Sequence, residues 1–381
     1  MTALGQQLRL EANDVVTKEQ VLDVLRDVED PEVHKSIVEL DMVKNIEIEE
    51  GRVNVEVLLT IRGCPLRTII EKEVEERILS LPGVEQVNVQ IGHMTDEQRA
   101  AFTAKVRGGN TESAAPQQQA VPALLRGDKP VQFLAIASGK GGVGKSTVTA
   151  NLAVALARQG VRVAVIDADI YGFSIPAIFG VQDKKPTVID ELIMPIEVEG
   201  VKLISMQFFV PKDTPVVWRG PMLGKMLRNF FGQVHWGDVD VVLLDLPPGT
   251  GDMALDVHSL LPNSKQLIVT TPQAAASAVA VRAGLMGVRT NHEVIGVVEN
   301  MAYFQFDDSD ERAYIFGRGG GEQVASQLNT ELLIEIPIAN LDKQKDPLFD
   351  ELSLQGQAYR QLAERVGMRL GVKTQPLQRN A

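Results

Sequence analysis

The sequence predicts an α/β protein built on a mainly parallel, helix-flanked sheet and preceded by a smaller α/β domain. Three observations carry that prediction. The apolar runs FLAIAS, VAVID and VVLLD each stop where polar residues begin, as buried parallel strands do. Segments of helical period stand between them, such as TANLAVALARQG with Gly160 as its stop. Finally, 381 residues are long for one domain, and the composition breaks near residue 101.

Residues 1–100 read as helix, strand, strand, helix, strand. TKEQVLDVLRDV has an amphipathic helical period. VKNIEIEEGRVNVEVLLT reads as a hairpin turning near Glu50-Gly51. PLRTIIEKEVEERILSL opens a second helix with Pro65 in its first turn, and VEQVNVQI alternates as a strand. Residues 101–128, rich in Ala, Gln, Gly and Pro, are expected to be a flexible linker ahead of a domain over 129–381. Such a linker spans roughly 30 Å, enough for a front domain to reach either subunit of a dimer.

The strand FLAIAS runs into GKGGVGKST and then into a helix, which is the context a phosphate-binding loop requires. Gly139, Gly144, Lys145 and Ser146 fit G-x-x-x-x-G-K-[ST]. The glycines let successive N–H groups turn toward phosphate oxygens, and the helix N-terminus adds partial positive charge. Lys145 is the point charge for the β and γ phosphates, and Ser146 offers a hydroxyl to Mg²⁺. Gly139, Gly141 and Gly144 also spell G-x-G-x-x-G with Asp167 downstream, but a dinucleotide site gives Lys145 and Ser146 no work.

Two strand ends supply acids. Asp245 closes VVLLD, with Gly249 following where a switch loop needs backbone freedom, and is expected to support Mg²⁺. VRVAVIDADIYG carries Asp167 and Asp169. Of the two, only one is expected to face the nucleotide directly. Asp169 is expected to position the attacking water and Asp167 to support Mg²⁺ through water. A solvated turn with Asp167 as helix cap is the alternative.

GKGGVGKST carries a second lysine, Lys140, and here resembles the deviant phosphate loop of the MinD, ParA, ArsA and nitrogenase iron-protein superfamily. The resemblance implies a homodimeric ATP hydrolase in which Lys140 reaches the partner's nucleotide. It implies that Gly139, Lys140, Gly141, Gly142, Val143, Gly144, Lys145, Ser146 and Thr147 surround the phosphates. DADIYGFSIP, WRGPM, DLPPGTGD, VTTPQ, GVVENMAYF and GRGGGEQVA are similar to the Mrp/ApbC branch. That likeness implies that Asn300 meets the adenine edge and that Pro337 lines the base pocket. By residue type alone, Asn300 reads equally as a turn former. Members are described as iron–sulfur cluster carriers serving apoproteins and assembly proteins.

DPEVHKSIVELDMV and TIRGCP resemble the small domain that often precedes this branch. Cys64 falls before the second helix, where the helix dipole, Arg62 and Arg67 favour a thiolate, although a lone cysteine also serves as packing. Asp30, before Pro31, reads as a turn-forming acid. His34, His93, His235, His258 and His292 share no metal-ligand spacing.

The sequence departs from the branch in one place. A C-P-x-C pair usually follows N-M-x-Y-F, whereas here the stretch is NMAYFQFDDSDERAYIFG, with Asp307, Asp308 and Asp310 and no cysteine. Two readings follow: a cluster carrier using Cys64 or borrowed ligands, or a MinD/ParA-like ATP-switched dimer that recruits proteins.

Composition narrows the partners. A net charge of −12 argues against a nucleic-acid surface, and no apolar run reaches a membrane span. The terminal GVKTQPLQRNA carries no amphipathic apolar face, which disfavours membrane recruitment. The first residues lack a signal-peptide core, and one cysteine suits a reducing cytoplasm.

Overall fold

The structure, a computed structural model, describes residues 16–60, 66–106, 124, 131–169, 172–210, 220–249, 257, 259–306, 310–339 and 346–374. The chain forms two compact units. The front unit comprises Met1–Gln118 together with Thr187–Met194, and the rest forms the larger unit.

In the front unit, α1 (Lys18–Leu25) starts at a capping box in which Thr17 and Gln20 bond reciprocally. Strands β1 (Val43–Glu49) and β2 (Arg52–Leu59) pair antiparallel. Both turn residues, Glu50 and Gly51, have positive φ, as a tight two-residue hairpin turn of matching twist requires. Helix α2 (Arg67–Leu79) buries Ile70, Val74 and Ile78, one stripe at four-residue spacing. It leads to β3 (Gln86–His93), which pairs parallel to β2.

The chain stays ordered where a linker is expected to begin. Helix α3 spans Asp96–Val106 and buries Phe102, Thr103 and Val106. Thr95 and Gln98 exchange reciprocal capping bonds at its start. The linker expectation fails over 101–106, where the cap and the buried Phe102 and Val106 hold the helix. The expectation of one tether also changes: the front unit's chain meets the rest at 118/119, 186/187 and 194/195. The inserted residues form a hairpin of β6 (Val188–Ile189) and β7 (Leu192–Ile193).

In the larger unit, β4 (Gln132–Ser138) lies in the middle of an eight-stranded sheet ordered β15-β12-β11-β4-β10-β5-β9-β8. These strands are β5 (Val163–Asp167), β8 (Ile196–Val198), β9 (Val201–Ser205), β10 (Val241–Asp245), β11 (Lys265–Thr270), β12 (Val294–Glu299) and β15 (Leu332–Glu335). All neighbours run parallel except β8 and β9. The central strands are buried along their whole length, which is why they read as unbroken apolar runs. Helices include α4 (Lys145–Arg158), α5 (Ile175–Ile178), α6 (Gly220–Gln233), α7 (Ala274–Arg289), α8 (Gly320–Gln327) and α9 (Leu354–Leu370). A small hairpin, β13 (Phe304–Gln305) with β14 (Arg312–Ala313), follows β12. Strand register aligns Asp245 of β10 with Asp167 of β5, so two carboxylates end adjacent strands.

Candidate functional site

The loop from β4 to α4 passes through positive φ at Gly142 and Gly144. Gly139 is fixed by close approach: a Cβ there would lie 2.2 Å from the Val279 carbonyl carbon in α7. At Gly144 a Cβ would lie 2.2 Å from the Asn300 amide nitrogen. At Gly141 and Gly142 a Cβ would meet nothing, so the cradle is open on that side. Val143 is buried, and its carbonyl accepts from Asn300 Nδ2 at 2.9 Å. The carbonyl of Thr147, in the first turn of α4, accepts from Asn151 Nδ2 at 2.9 Å.

Lys145 is the centre of the charged cluster. Its Nζ lies 2.7 Å from Asp245 Oδ2 and 3.7 Å from Asp169 Oδ2, and the side chain is 6% exposed. Ser146 Oγ donates to Asp245 Oδ2 at 2.6 Å, and Thr149 Oγ1 donates to Asp245 Oδ1 at 2.7 Å. Both oxygens of a fully buried carboxylate are therefore satisfied, as burial demands.

Asp167 is fully buried; Ser205 Oγ donates to it at 3.0 Å and the Asp169 amide at 3.2 Å. Burial, followed by the charge of Asp245, holds its carboxyl well above the ordinary range. Strand β5 ends at Asp167, and Asp169 lies two residues further on. Lys145 acts electrostatically on both.

Lys140 is not part of that cluster. Its Nζ points to Gln273 Oε1 at 3.5 Å. Asn300 lies beside the loop, 7% exposed, with its own amide N–H donating to Thr270. Pro337 is buried, between Ile336, which bonds Glu299, and Ile338, which bonds Tyr303. Gly249 has φ of +90° and its amide bonds Ser138 O at 2.8 Å, anchoring the start of the loop after β10 to the end of β4.

Cys64 lies outside the described residues. His292 is buried and bonded to the Leu261 carbonyl and Thr290, a structural role. Asp30 accepts the amides of Glu32 and Val33 at 3.0 Å each, the turn geometry its place before proline suggests. Residue reading missed Thr149 and Ser205. Thr149 sits one helical turn after Lys145, a spacing that could have marked it. Ser205 becomes visible only through the pairing of β9 with β5.

Asp245 and Asp169 flank Lys145 with Asp167 close by, and every remaining donor is a hard oxygen. That set suits Mg²⁺, which takes one or two protein oxygens plus substrate phosphate. No three His, Cys, Asp or Glu side chains among the described residues form a metal-binding group.

A glycine loop, its lysine and two strand-end acids on a parallel sheet define a P-loop NTPase. Residues 130–366 match the family model of the NUBPL iron-transfer P-loop NTPase, and residues 18–91 that of an iron-sulfur cluster assembly protein. The chain belongs to this family, the Mrp/ApbC-type P-loop ATPases. It is 44% identical over 365 residues to the iron-sulfur cluster carrier protein of Bacillus subtilis, covering 94% of this chain and all of that one. Against the Mycobacterium leprae protein of the same description it is 45% identical over 331 residues, 87% of this chain and 84% of that one. Among solved structures, a nucleotide-binding protein from Archaeoglobus fulgidus in complex with ADP is 39% identical. It covers 60% of this chain and 87% of its own, with a TM-score of 0.48.

Proposed function

We propose that the chain is an ATP-hydrolysing iron–sulfur cluster carrier, acting as a homodimer and passing clusters to apoproteins. The observation that carries the nucleotide half is Lys145 held between Asp245 and Asp169 at the open end of the loop. Arriving β and γ phosphates take over Lys145, which frees Asp245 and Ser146 to hold Mg²⁺. Bound there, Mg²⁺ would supply positive charge against the phosphate oxygens. Asp169 orients the attacking water, and Asp167 would support Mg²⁺ through water. Asn300 and Pro337 bound the base. Lys140, turned away from its own acids, serves the partner's phosphates.

The cargo half rests on the relatives, which are described as cluster carriers. Clusters take four ligands, usually thiolates, and a homodimer of this chain has two cysteines. A cluster would therefore use Cys64 from each subunit, with His, carboxylate or small-thiol ligands completing it. The missing cysteine pair favours a second reading, an ATP-switched dimer that recruits protein partners and carries no cluster.

Reconstitution of the full chain with iron and sulfide under anaerobic conditions separates the two. The carrier reading expects bound iron and sulfide that vanish in Cys64→Ser and move to an apo-acceptor. Iron at background leaves the switch reading. A mixing experiment tests the dimer: Lys140→Ala and Asp169→Ala are each expected to be inactive, and their mixture partly active through one intact composite site. A mixture no more active than its parts would exclude a role for Lys140 in trans.

A further inference from the structure

The hairpin Thr187–Met194 lies within the sequence of the ATPase unit yet folds as part of the front unit. Ile189, Leu192 and Met194 are buried in one core with Val21, Leu25 and Phe102. The Thr187 hydroxyl donates to the Glu32 carboxylate, and Arg99 pairs with Asp190 at 3.4 Å. The Met194 amide closes the hairpin onto Thr187 O at 2.8 Å. The front core is thus incomplete without residues encoded far downstream.

Both ends of this excursion lead to the nucleotide site. Upstream, Asp169 precedes Thr187 by 18 positions and pairs with Lys145. Downstream, the chain enters β8 and β9, and β9 ends at Ser205, which holds Asp167. Prolines flank the hairpin on each side, Pro186 before it and Pro195 after it. Proline fixes its own φ near about −65° and holds the preceding residue extended. A displacement at either foot is therefore passed along the chain more than it is absorbed by rotation.

We infer that Thr187–Met194 is a coupling strap through which nucleotide binding at the Lys145–Asp169 cluster alters the packing of the front unit. The inference rests on the nucleotide reading above. A ligand moves a conformational equilibrium only by contacting two states differently. Phosphates do so here, because taking Lys145 removes its pairs with Asp169 and Asp245. Coupling of this kind is reciprocal, so a change at the Thr187–Glu32 contact must alter nucleotide affinity by the factor by which its effect on the front unit differs between the bound and the nucleotide-free chain.

Hydrogen exchange of the full chain, with and without Mg²⁺ and a non-hydrolysable ATP analogue, tests this. Peptides over 144–158 report binding, and peptides over 28–42 and 52–59 report the front unit. Saturating analogue is expected to slow exchange in the first and to change it about five-fold or more in the others, the low end of ordinary site-to-site coupling. The double variant Pro186→Gly, Pro195→Gly leaves every core contact in place. It should keep the front unit's exchange without nucleotide and lose most of the response to it. Thr187→Val should shift affinity for the analogue by the factor by which its effect on front-unit exchange differs with and without the analogue. Slowed loop peptides with an unchanged front unit would overturn the strap and leave the nucleotide reading standing. A proline double variant that responds like the parent would overturn it too. If no peptide responds, the nucleotide reading falls and the strap with it.

Discussion

Each unit buries a group of carboxylates, and different things face them. In the larger unit, Asp245 meets the Lys145 ammonium and two hydroxyls, and Asp169 meets the same lysine. In the front unit, Asp30 meets two backbone amides and the charge of His34, while Glu32 meets the Thr187 hydroxyl. Burial is the leading influence on both front-unit acids and raises them above the ordinary carboxylate range. The difference lies in which partner can be given up: an ammonium can pass to an incoming phosphate, whereas backbone amides and a hydroxyl offset only part of the burial of Asp30 and Glu32. The first arrangement is poised to exchange its lysine for phosphate and metal. The second settles toward protonation.

Removing the lysine should break that contrast most severely. Lys145→Ala is expected to slow ATP hydrolysis by on the order of a hundred- to a thousand-fold or more, since the charge acts where phosphate charge develops. It also leaves buried carboxylates facing each other, so denaturant unfolding should show a loss of about 3 kcal/mol without nucleotide. Unchanged stability would mean that Lys145 does not compensate the acids.

A smaller effect is expected from Thr149→Val, which keeps the shape but leaves Asp245 Oδ1 without its donor. A stability loss of about 1–3 kcal/mol, with slower hydrolysis, should accompany that unsatisfied oxygen. Loss of stability with full activity would show that Thr149 only packs.

The smallest effect concerns pH in the front unit. Asp30 has a raised folded value, so the folded chain holds a proton that the unfolded chain has released. The associated stability is present below the ordinary value of 3.8 and is lost as pH rises toward the folded value. Asp30→Asn keeps an oxygen to accept both amides and removes the titration. It should flatten the pH dependence of front-unit hydrogen exchange across the mildly acidic range. A slope identical to the parent's would place the titrating group elsewhere.

Much of the larger unit is legible in the sequence because its signals are local. FLAIAS, VAVID and VVLLD are strands β4, β5 and β10, and GKGGVGKST spans the turn into α4. Signals fail where a contact joins residues distant in sequence. VIDELI carries no pattern that announces a hairpin completing a core built mostly from residues before 107. Ser205 pairs with Asp167 only once β9 lies beside β5. The extent of α3 is a different case: Thr95 and Gln98 spell a capping box, but the few residues from 101 are too short a stretch to show a sustained apolar period.

Calorimetric titration of ATP into the nucleotide-free full chain, with and without Mg²⁺, tests the central claim most directly. The cluster of Lys145, Ser146, Asp167, Asp169 and Asp245 predicts saturable binding that Mg²⁺ tightens in the parent chain and that Lys145→Ala abolishes. Binding of equal strength in the parent and Lys145→Ala, indifferent to Mg²⁺, would contradict it.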